Sequence, residues 1–415
     1  MLSNQSGDGK RKSLHGNWSS RMAFVLAVTG SAVGLGNIWK FPYVAGENGG
    51  GAFVLVYLVC VVVIGMPVMM SEILIGRRGR RNPVATMALL GEEEGSTRKW
   101  RYVGLLGVVA GILILSYYSV IAGWTLAYVV KSATGTFVDA TAAQVVAELD
   151  TFKSSTGYSI TSGSFGHGVE FLFTPDFSKL TWGSVLEAMG QAFFTLSIGM
   201  GAIMAYGAYL PEETSITGAS ATVVAADTSI AILAGLVIFP LVFANGLQPD
   251  AGPGLVFQTL PLALGQMPAG AFFSTLFFVL LAFAAWTSAI GLMEPAVAWV
   301  VESFNKTRAQ AAVAVGALIW LIGFASVFSF NTLSDVTFFQ GTIFDNLDFL
   351  TNQIMLPLGG LLITVFAGWV MARNSTADEL GGAGASYRAW RHAVRFVAPV
   401  GIFFVLFFAI KGVFV

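Results

Sequence analysis

Long apolar runs with very few charges dominate this chain of 415 residues. A bilayer span needs roughly 20 mostly apolar residues, and nine segments of the sequence meet that requirement. They cover residues 21–46, 50–76, 101–133, 181–210, 219–246, 271–304, 307–329, 346–373 and 388–412. Only 11% of the residues are charged, against about 25% in soluble globular proteins. The sequence therefore predicts an all-α, polytopic helix bundle in a lipid bilayer, with about nine transmembrane helices.

The basic residues are distributed unevenly between the connecting segments. If the N-terminus lies in the cytoplasm, 17 of the 22 lysines and arginines fall on the cytoplasmic side, where positive charge is normally concentrated. We therefore predict a multi-pass protein of the cell (inner or plasma) membrane with a cytoplasmic tail at residues 1–20. The net charge of −1 gives no indication of nucleic-acid binding.

Two of the apolar segments contain a Gly-x-Gly sequence, Gly34/Gly36 in the first and Gly199/Gly201 in the fourth. Glycine permits backbone conformations that helices do not use, and unwound backbone at membrane depth is tolerated where it lines a cavity or is buried in protein. Freed carbonyl groups can bind a cation, and the N-termini of half-helices can bind a carboxylate. The pair predicts two discontinuous helices at a transport site. The alternative is that the glycines only allow close packing of helices.

Three acidic residues lie within or near the ends of the apolar segments, where ionisable groups are costly and usually functional. Asp227 is deep in its segment, which indicates a functional role. Glu72 and Glu294 lie near segment ends, so functional and structural or solvated roles both stay open; Glu72 is a candidate support for a helix break.

The sequence offers little that would support catalysis or a channel. None of the three histidines lies within a span beside an acidic residue, and the sequence has no metal-ligand spacing, nucleophile elbow or phosphate loop. A ring-forming filter motif is likewise absent from the sequence. We predict that the chain is not an enzyme.

Several sequence motifs resemble one family of transporters. Residues 30–42, GSAVGLGNIWKFP, followed by GENGGGAF at 46–53, resemble the signature of the neurotransmitter:sodium symporter family, in its bacterial amino-acid transporter branch. FFTLSIGMG at 193–201 resembles the sixth helix of the family, and WTSA at 286–289 its eighth. The resemblance implies an inverted-repeat bundle with two discontinuous helices. It also implies sodium-coupled symport, by alternating access, of a small and hydrophobic or aromatic amino acid.

The resemblance also implies two sodium sites. The first would use Ala32, Asn37, Thr195 and Asp227. The second would use the carbonyl groups of Gly30, Val33 and Ala284 and the hydroxyl groups of Thr287 and Ser288. Oxygen ligands of this kind suit a hard cation. Because Asp227 would supply the negative charge that chloride supplies in other members, we predict that chloride is not required.

The resemblance also implies a substrate site and two gates. The substrate carboxylate would contact Leu35, Gly36 and Tyr118; its amine and the lid would involve Phe194, Thr195 and Ser197; and the side-chain pocket would be formed by Ile114, Met200, Ser288 and Leu292. That apolar wall, with an adaptable methionine, favours a hydrophobic or aromatic substrate. The implied gates are Lys40 with Asp348 outside, and Tyr209 and Glu302 inside. Lys40 replaces the usual arginine and lacks its bidentate fork.

The chain departs from the family pattern after its third span. The segment that resembles the sixth helix follows directly on the polar residues 134–180, so the fourth and fifth helices of the family are predicted to be absent, with a join in residues 151–168. Residues 21–133 would be an incomplete first repeat, 134–180 an extracellular loop, 181–373 a second repeat of five helices, and 374–415 a cytoplasmic loop and the last helix. Two interpretations stay open: a working symporter, and a relative that binds substrate but does not transport it. Monomer and homodimer are both compatible with the sequence.

Overall fold

The computed structural model describes residues 18–138, 164–244, 252–265 and 269–414, together with residues 11, 140, 144, 145 and 248–250. The described chain is built from helices, and it contains no β-strand; Phe338 and Gly341 form an isolated bridge. The all-α prediction is therefore confirmed.

The described residues of the first part of the chain form six helices of six residues or more. They are α1 (Arg21–Ala32), α2 (Gly36–Glu47), α3 (Gly51–Gly79), α4 (Pro83–Glu93), α5 (Arg101–Ala133) and α6 (Ser164–Phe173). The long helix α5 lies at the centre of the bundle, where it packs against the later helices of the chain. Asn82 caps the short helix α4 by accepting a hydrogen bond from the amide of Ala85, which satisfies one of the free donors at a helix start.

Beyond α6, the described residues form nine helices of six residues or more. They are α7 (Trp182–Thr195), α8 (Ala202–Gly207), α9 (Ile216–Ala244), α10 (Leu255–Gly265), α11 (Gly270–Phe304), α12 (Arg308–Ser329), α13 (Ile343–Val370), α14 (Arg373–Glu379) and α15 (Ala385–Lys411). Of the helices in the described chain, seven are long and apolar enough to cross a membrane: α3, α5, α9, α11, α12, α13 and α15. Counting the bent pair α1/α2 as one span gives eight in the described chain, and the remaining predicted segment, 181–210, contains α7 and α8.

The first predicted break is present between α1 and α2, whose axes differ by 45°. The helix ends where Val33 adopts an extended conformation, with φ −71° and ψ 104°. The α1/α2 pair therefore leaves backbone groups around Gly34 outside regular helical pairing, as its Gly-x-Gly sequence predicts.

The second predicted break separates α7 from α8. Three residues between these helices have positive φ: Ser197 (54°), Gly199 (83°) and Gly201 (74°). Gly199 is also required by space, because a Cβ atom there would lie 2.3 Å from the carbonyl oxygen of Leu356. Both predicted discontinuities are thus features of the fold.

The described residues between α5 and α7 contain no helix long enough to span a membrane. Between Ala133 and Trp182 the described residues contain one longer helix, α6, of ten residues. Ten residues rise about 15 Å as a helix, roughly half the thickness of the hydrocarbon core. Most of the predicted join at 151–168 lies outside the described residues.

Candidate functional site

The two helix breaks meet at the middle of the bundle, where the side chain of Asn37 links α2 to α9. Its amide nitrogen donates to the backbone carbonyl of Asp227 at 3.0 Å and to Asp227 Oδ1 at 2.7 Å. Its Oδ1 accepts from the amide of Gly34 at 3.1 Å. Asn37 and Asp227 have no solvent exposure, so two of the predicted first-site ligands lie together in the protein interior.

The carboxylate of Asp227 keeps one oxygen free. Among the described residues, Asp227 Oδ2 has no hydrogen-bond partner although it is buried. A buried charged oxygen without a partner is costly, and a bound cation would satisfy it. The other predicted first-site residues, Ala32 and Thr195, are 4% and 1% exposed. The donor set fits a dehydrated sodium ion, because it combines one negative charge with neutral oxygens.

Thr195 is positioned by two neighbours at the end of α7. Its hydroxyl donates to the carbonyl oxygen of Gln191 at 3.1 Å and lies 3.3 Å from the hydroxyl of Tyr57. Gln191 Nε2 in turn donates to the carbonyl oxygen of Gly36 at 2.7 Å. These contacts tie α7 and α3 to the unwound part of the first pair.

The predicted second sodium set lies on the other side of the α1/α2 break, between α1 and α11. The hydroxyl of Ser288 is 3.4 Å from the carbonyl oxygen of Gly30 and 3.3 Å from that of Val33. The hydroxyl of Thr287 donates to the carbonyl of Ala284 in its own helix at 3.1 Å. All five predicted residues therefore lie at one helix contact.

The predicted substrate site is formed by side chains from four parts of the fold: the α1/α2 break, α5, the α7/α8 pair and α11. The amide of Leu35 donates to the hydroxyl of Tyr118 at 3.2 Å, so the predicted carboxylate-binding donors are adjacent. Nine of the predicted residues are at most 6% exposed: Leu35, Ile114, Tyr118, Phe194, Thr195, Ser197, Met200, Ser288 and Leu292. The buried, mostly apolar lining is compatible with a small apolar side chain.

Phe194 lies directly over the unwound backbone. A Cβ atom at Gly36 would be 3.0 Å from its ring, so the ring would have to shift by a few tenths of an ångström to admit a larger residue. On its outer side the ring is followed by Lys40, whose Nζ lies 5.1 Å from the ring centre. Ser197, the other predicted lid residue, donates a long hydrogen bond of 3.4 Å to the carbonyl oxygen of Ser31.

The predicted outer pair is formed. Lys40 Nζ lies 2.5 Å from each carboxylate oxygen of Asp348, and Asn352 supports the carboxylate with a hydrogen bond of 2.7 Å. Lys40 is 1% exposed. The ion pair and the ring of Phe194 therefore lie next to each other beside the candidate site.

Glu72 supports the second break. Its carboxylate accepts hydrogen bonds from the amide of Gly199 at 2.6 Å and from that of Met204 at 3.3 Å. The residue has no solvent exposure. A carboxylate in this position satisfies donors at the start of α8 and is stabilised by that helix end, in keeping with the predicted supporting role.

On the inner side, the predicted gate residues take different partners. The hydroxyl of Tyr209 donates to Glu294 Oε1 at 2.8 Å, and Arg308 binds the same carboxylate with two nitrogens, at 3.1 and 2.5 Å. Glu302 instead accepts from the amide of Asn82 at 2.8 Å. The structure therefore brings Tyr209 to Glu294, a partner that the sequence did not predict.

Four contributors to the site and its inner side escaped sequence reasoning: Tyr57, Gln191, Glu294 as the partner of Tyr209, and Arg308. Gln191 carried a usable signal, because it is a polar side chain within an apolar segment. Arg308 stands at the start of its span, where a basic residue looks like an ordinary flanking charge.

Comparisons with known proteins identify relatives of this chain. A sequence model of the sodium:neurotransmitter symporter family matches residues 15–156 and 157–414. YhdH of Bacillus subtilis, named as a sodium-dependent transporter, is 36% identical over 94% of this chain and 96% of its own length. A sodium-dependent transporter of Haemophilus influenzae is 31% identical over 92% of this chain and 95% of its own length.

A solved structure gives the same fold. The crystal structure of MhsT in complex with L-phenylalanine matches with a TM-score of 0.86 at 38% identity, covering 95% of this chain and 99% of the other. The matched relatives are transporters, which confirms that the chain is not an enzyme. With its apolar helices and its family match, this multi-pass membrane protein belongs to the sodium:neurotransmitter symporter family.

Proposed function

We propose that this chain couples the inward movement of sodium to the uptake of a small hydrophobic or aromatic amino acid. The observation that carries the proposal is the pairing of Asn37 with Asp227 beside two broken helices, which leaves Asp227 Oδ2 buried and without a partner. A sodium ion there would be held by Asn37, Thr195, Asp227 and the carbonyl oxygen of Ala32. The ion would then lie beside the backbone that is to hold the substrate.

The substrate would bind between the breaks. Its carboxylate would contact the amides of Leu35 and Gly36 and the hydroxyl of Tyr118, displacing the hydrogen bond that Leu35 now makes to Tyr118. Ile114, Met200 and Leu292 are apolar and buried, which favours an apolar side chain. The relative MhsT was solved with L-phenylalanine, so phenylalanine is the first substrate to test.

The charge on Asp227 also bears on anion dependence. The carboxylate already balances one positive charge within the membrane, where an unpaired ion is costly. We therefore propose that transport does not require chloride. The second predicted sodium set contains no charged ligand.

We further propose that the N-terminus is cytoplasmic and that the chain lacks the fourth and fifth helices of its family. The first proposal is supported by the 17 basic residues that this orientation places inside. The second is supported by the single ten-residue helix α6 in the described part of the segment between Ala133 and Trp182.

The same shortening favours one second candidate, a relative that binds substrate but does not transport it. Alternating access needs helices that move against a scaffold, and removal of two helices would weaken that scaffold. The ligand set around Asp227 does not depend on them, so binding would survive.

Uptake of labelled phenylalanine into proteoliposomes tests the proposal and separates the two candidates. We expect accumulation when an inward sodium gradient is imposed, and equal accumulation when chloride is replaced by gluconate. Sodium-dependent binding without accumulation would favour the second candidate. Absence of sodium-dependent binding would contradict both.

A further inference from the structure

The second predicted sodium set lies at the edge of the protein, in contrast to the first. Of its members, Thr287 is exposed, Gly30, Val33 and Ala284 are half-buried, and Ser288 is buried. The first-set residues Ala32, Asn37, Thr195 and Asp227 are all buried.

The exposure follows from the helix faces on which these residues lie. On α1, Met22 and Leu26 are 65% and 64% exposed, and Gly30 continues the same stripe at a spacing of four residues. Positions four apart share a helix face. The face of α1 that carries Gly30 is therefore continuous with a stripe of exposed apolar residues.

The same is true of α11. Leu280, Phe283 and Ile290 are 59%, 54% and 53% exposed, and Thr287 falls in that stripe at helical spacing. Its neighbour Trp286 is 65% exposed. The hydroxyl of Thr287 thus opens onto the membrane side of the α1–α11 contact, 3.1 Å from the carbonyl groups of Phe283 and Ala284 in its own helix.

A cation at this edge would be poorly stabilised. Its ligands would be five neutral oxygens, with no carboxylate among them. Part of its surroundings would be hydrocarbon, which offers no dipoles, and transfer of an ion into such a medium is strongly unfavourable. The first set provides a negative charge and complete enclosure.

We propose that this transporter binds one sodium ion per substrate, at the Asp227 set, and that the Gly30–Thr287–Ser288 set does not retain sodium. The inference rests on the proposed sodium-coupled function and specifies its coupling ratio. The hydroxyl of Thr287 then remains bonded to its own helix during binding.

Sodium titration of phenylalanine binding tests the ratio. The protein would be placed in nanodiscs of phosphatidylethanolamine and phosphatidylglycerol, with ionic strength held constant by choline chloride. We expect a Hill coefficient for sodium of about 1. A coefficient approaching 2, the value when binding requires two ions, would overturn the one-ion ratio and leave sodium coupling intact.

A pair of variants provides an independent test. Thr287→Val removes the exposed hydroxyl with little change of shape, and Thr275→Val is its matched control, because Thr275 bonds to the carbonyl of Ala271 in the same helix. We expect both variants to shift the half-saturating sodium concentration by less than about twofold. A rise of about tenfold or more for Thr287→Val alone would overturn the inference. A wild-type protein that binds phenylalanine equally without sodium would overturn this inference and the proposed function together.

Discussion

The two sets of oxygen ligands lie on opposite sides of one unwound segment, yet their surroundings differ sharply. The set around Asp227 is closed off by α3, α7 and α9, and it carries a charge. The set around Ser288 is neutral and is formed where α1 meets α11, next to exposed apolar residues such as Leu26 and Trp286. The same broken helix therefore presents one side to the protein interior and the other to the bilayer.

The difference shows that a sequence can contain a set of ligand residues without burying them. Gly30, Val33, Thr287 and Ser288 all match the family motif. Whether they hold an ion depends on what packs over them, and packing is decided by helices elsewhere in the chain. Substitutions in the enclosed set around Asp227 and in the exposed set around Ser288 should therefore have different effects.

The largest loss of phenylalanine binding is expected from a substitution in the enclosed set. Asp227→Ala removes the charge and both carboxylate oxygens, and it leaves the amide of Asn37 without its 2.7 Å acceptor. A charged buried interaction contributes about 3 kcal/mol, so sodium-dependent phenylalanine binding should weaken at least ~100-fold. Equilibrium binding measures this, with the exposed Asp335→Ala as control. Near-normal binding by Asp227→Ala would show that the ion lies elsewhere.

A smaller but clear effect is expected at the substrate carboxylate. Tyr118→Phe removes the hydroxyl that lies beside the Leu35 amide. A hydrogen bond to a charged group contributes about 1.5–3 kcal/mol, so phenylalanine affinity should fall about 10- to 100-fold. The control, Tyr102→Phe, alters a residue of the same helix that is 62% exposed. If both variants bind alike, the carboxylate is held by other groups.

Glu72→Gln should act on stability. The amide would offer one acceptor and one donor where Gly199 and Met204 both supply N–H groups. Mispairing of a buried group costs about 1–3 kcal/mol, so the apparent melting temperature in detergent should fall by about 2–5 °C. Glu170→Gln, at an exposed position on α6, should leave it unchanged. An unaltered melting temperature for Glu72→Gln would mean that the second break does not depend on this carboxylate.

The smallest expected effect is that of chloride. Because Asp227 supplies the negative charge of the enclosed set, replacing sodium chloride with sodium gluconate should change phenylalanine affinity by less than about twofold. A loss of binding that chloride restores would show that the carboxylate does not fulfil this role.

Much of the fold could be predicted from the sequence, because span length and hydropathy are local properties. The breaks were also predictable, since the Gly-x-Gly sequences fall where Val33 becomes extended and Gly199 adopts positive φ. The proximity of Asn37 to Asp227 required the family resemblance, because 190 residues separate them.

The partner of Tyr209 could not be predicted from the sequence. Sequence matching gave Tyr209 and Glu302 as inner gate residues. It did not predict that the hydroxyl of Tyr209 donates to Glu294, which lies about two turns before Glu302 on α11. Which acidic residue of α11 faces a given tyrosine depends on how far α8 and α11 are offset along their axes. That offset is a product of tertiary packing and leaves no local signal in the sequence.

Binding of labelled L-phenylalanine to the purified wild-type protein, in sodium chloride and in potassium chloride of equal ionic strength, tests the central claim most directly. The claim is that a cation at Asp227 and the amino acid bind together at the unwound backbone. We predict saturable binding in sodium and at least ~100-fold weaker binding in potassium, the loss expected if potassium does not occupy the set and about 3 kcal/mol of charged interaction is absent. Equal binding in the two salts would contradict the account.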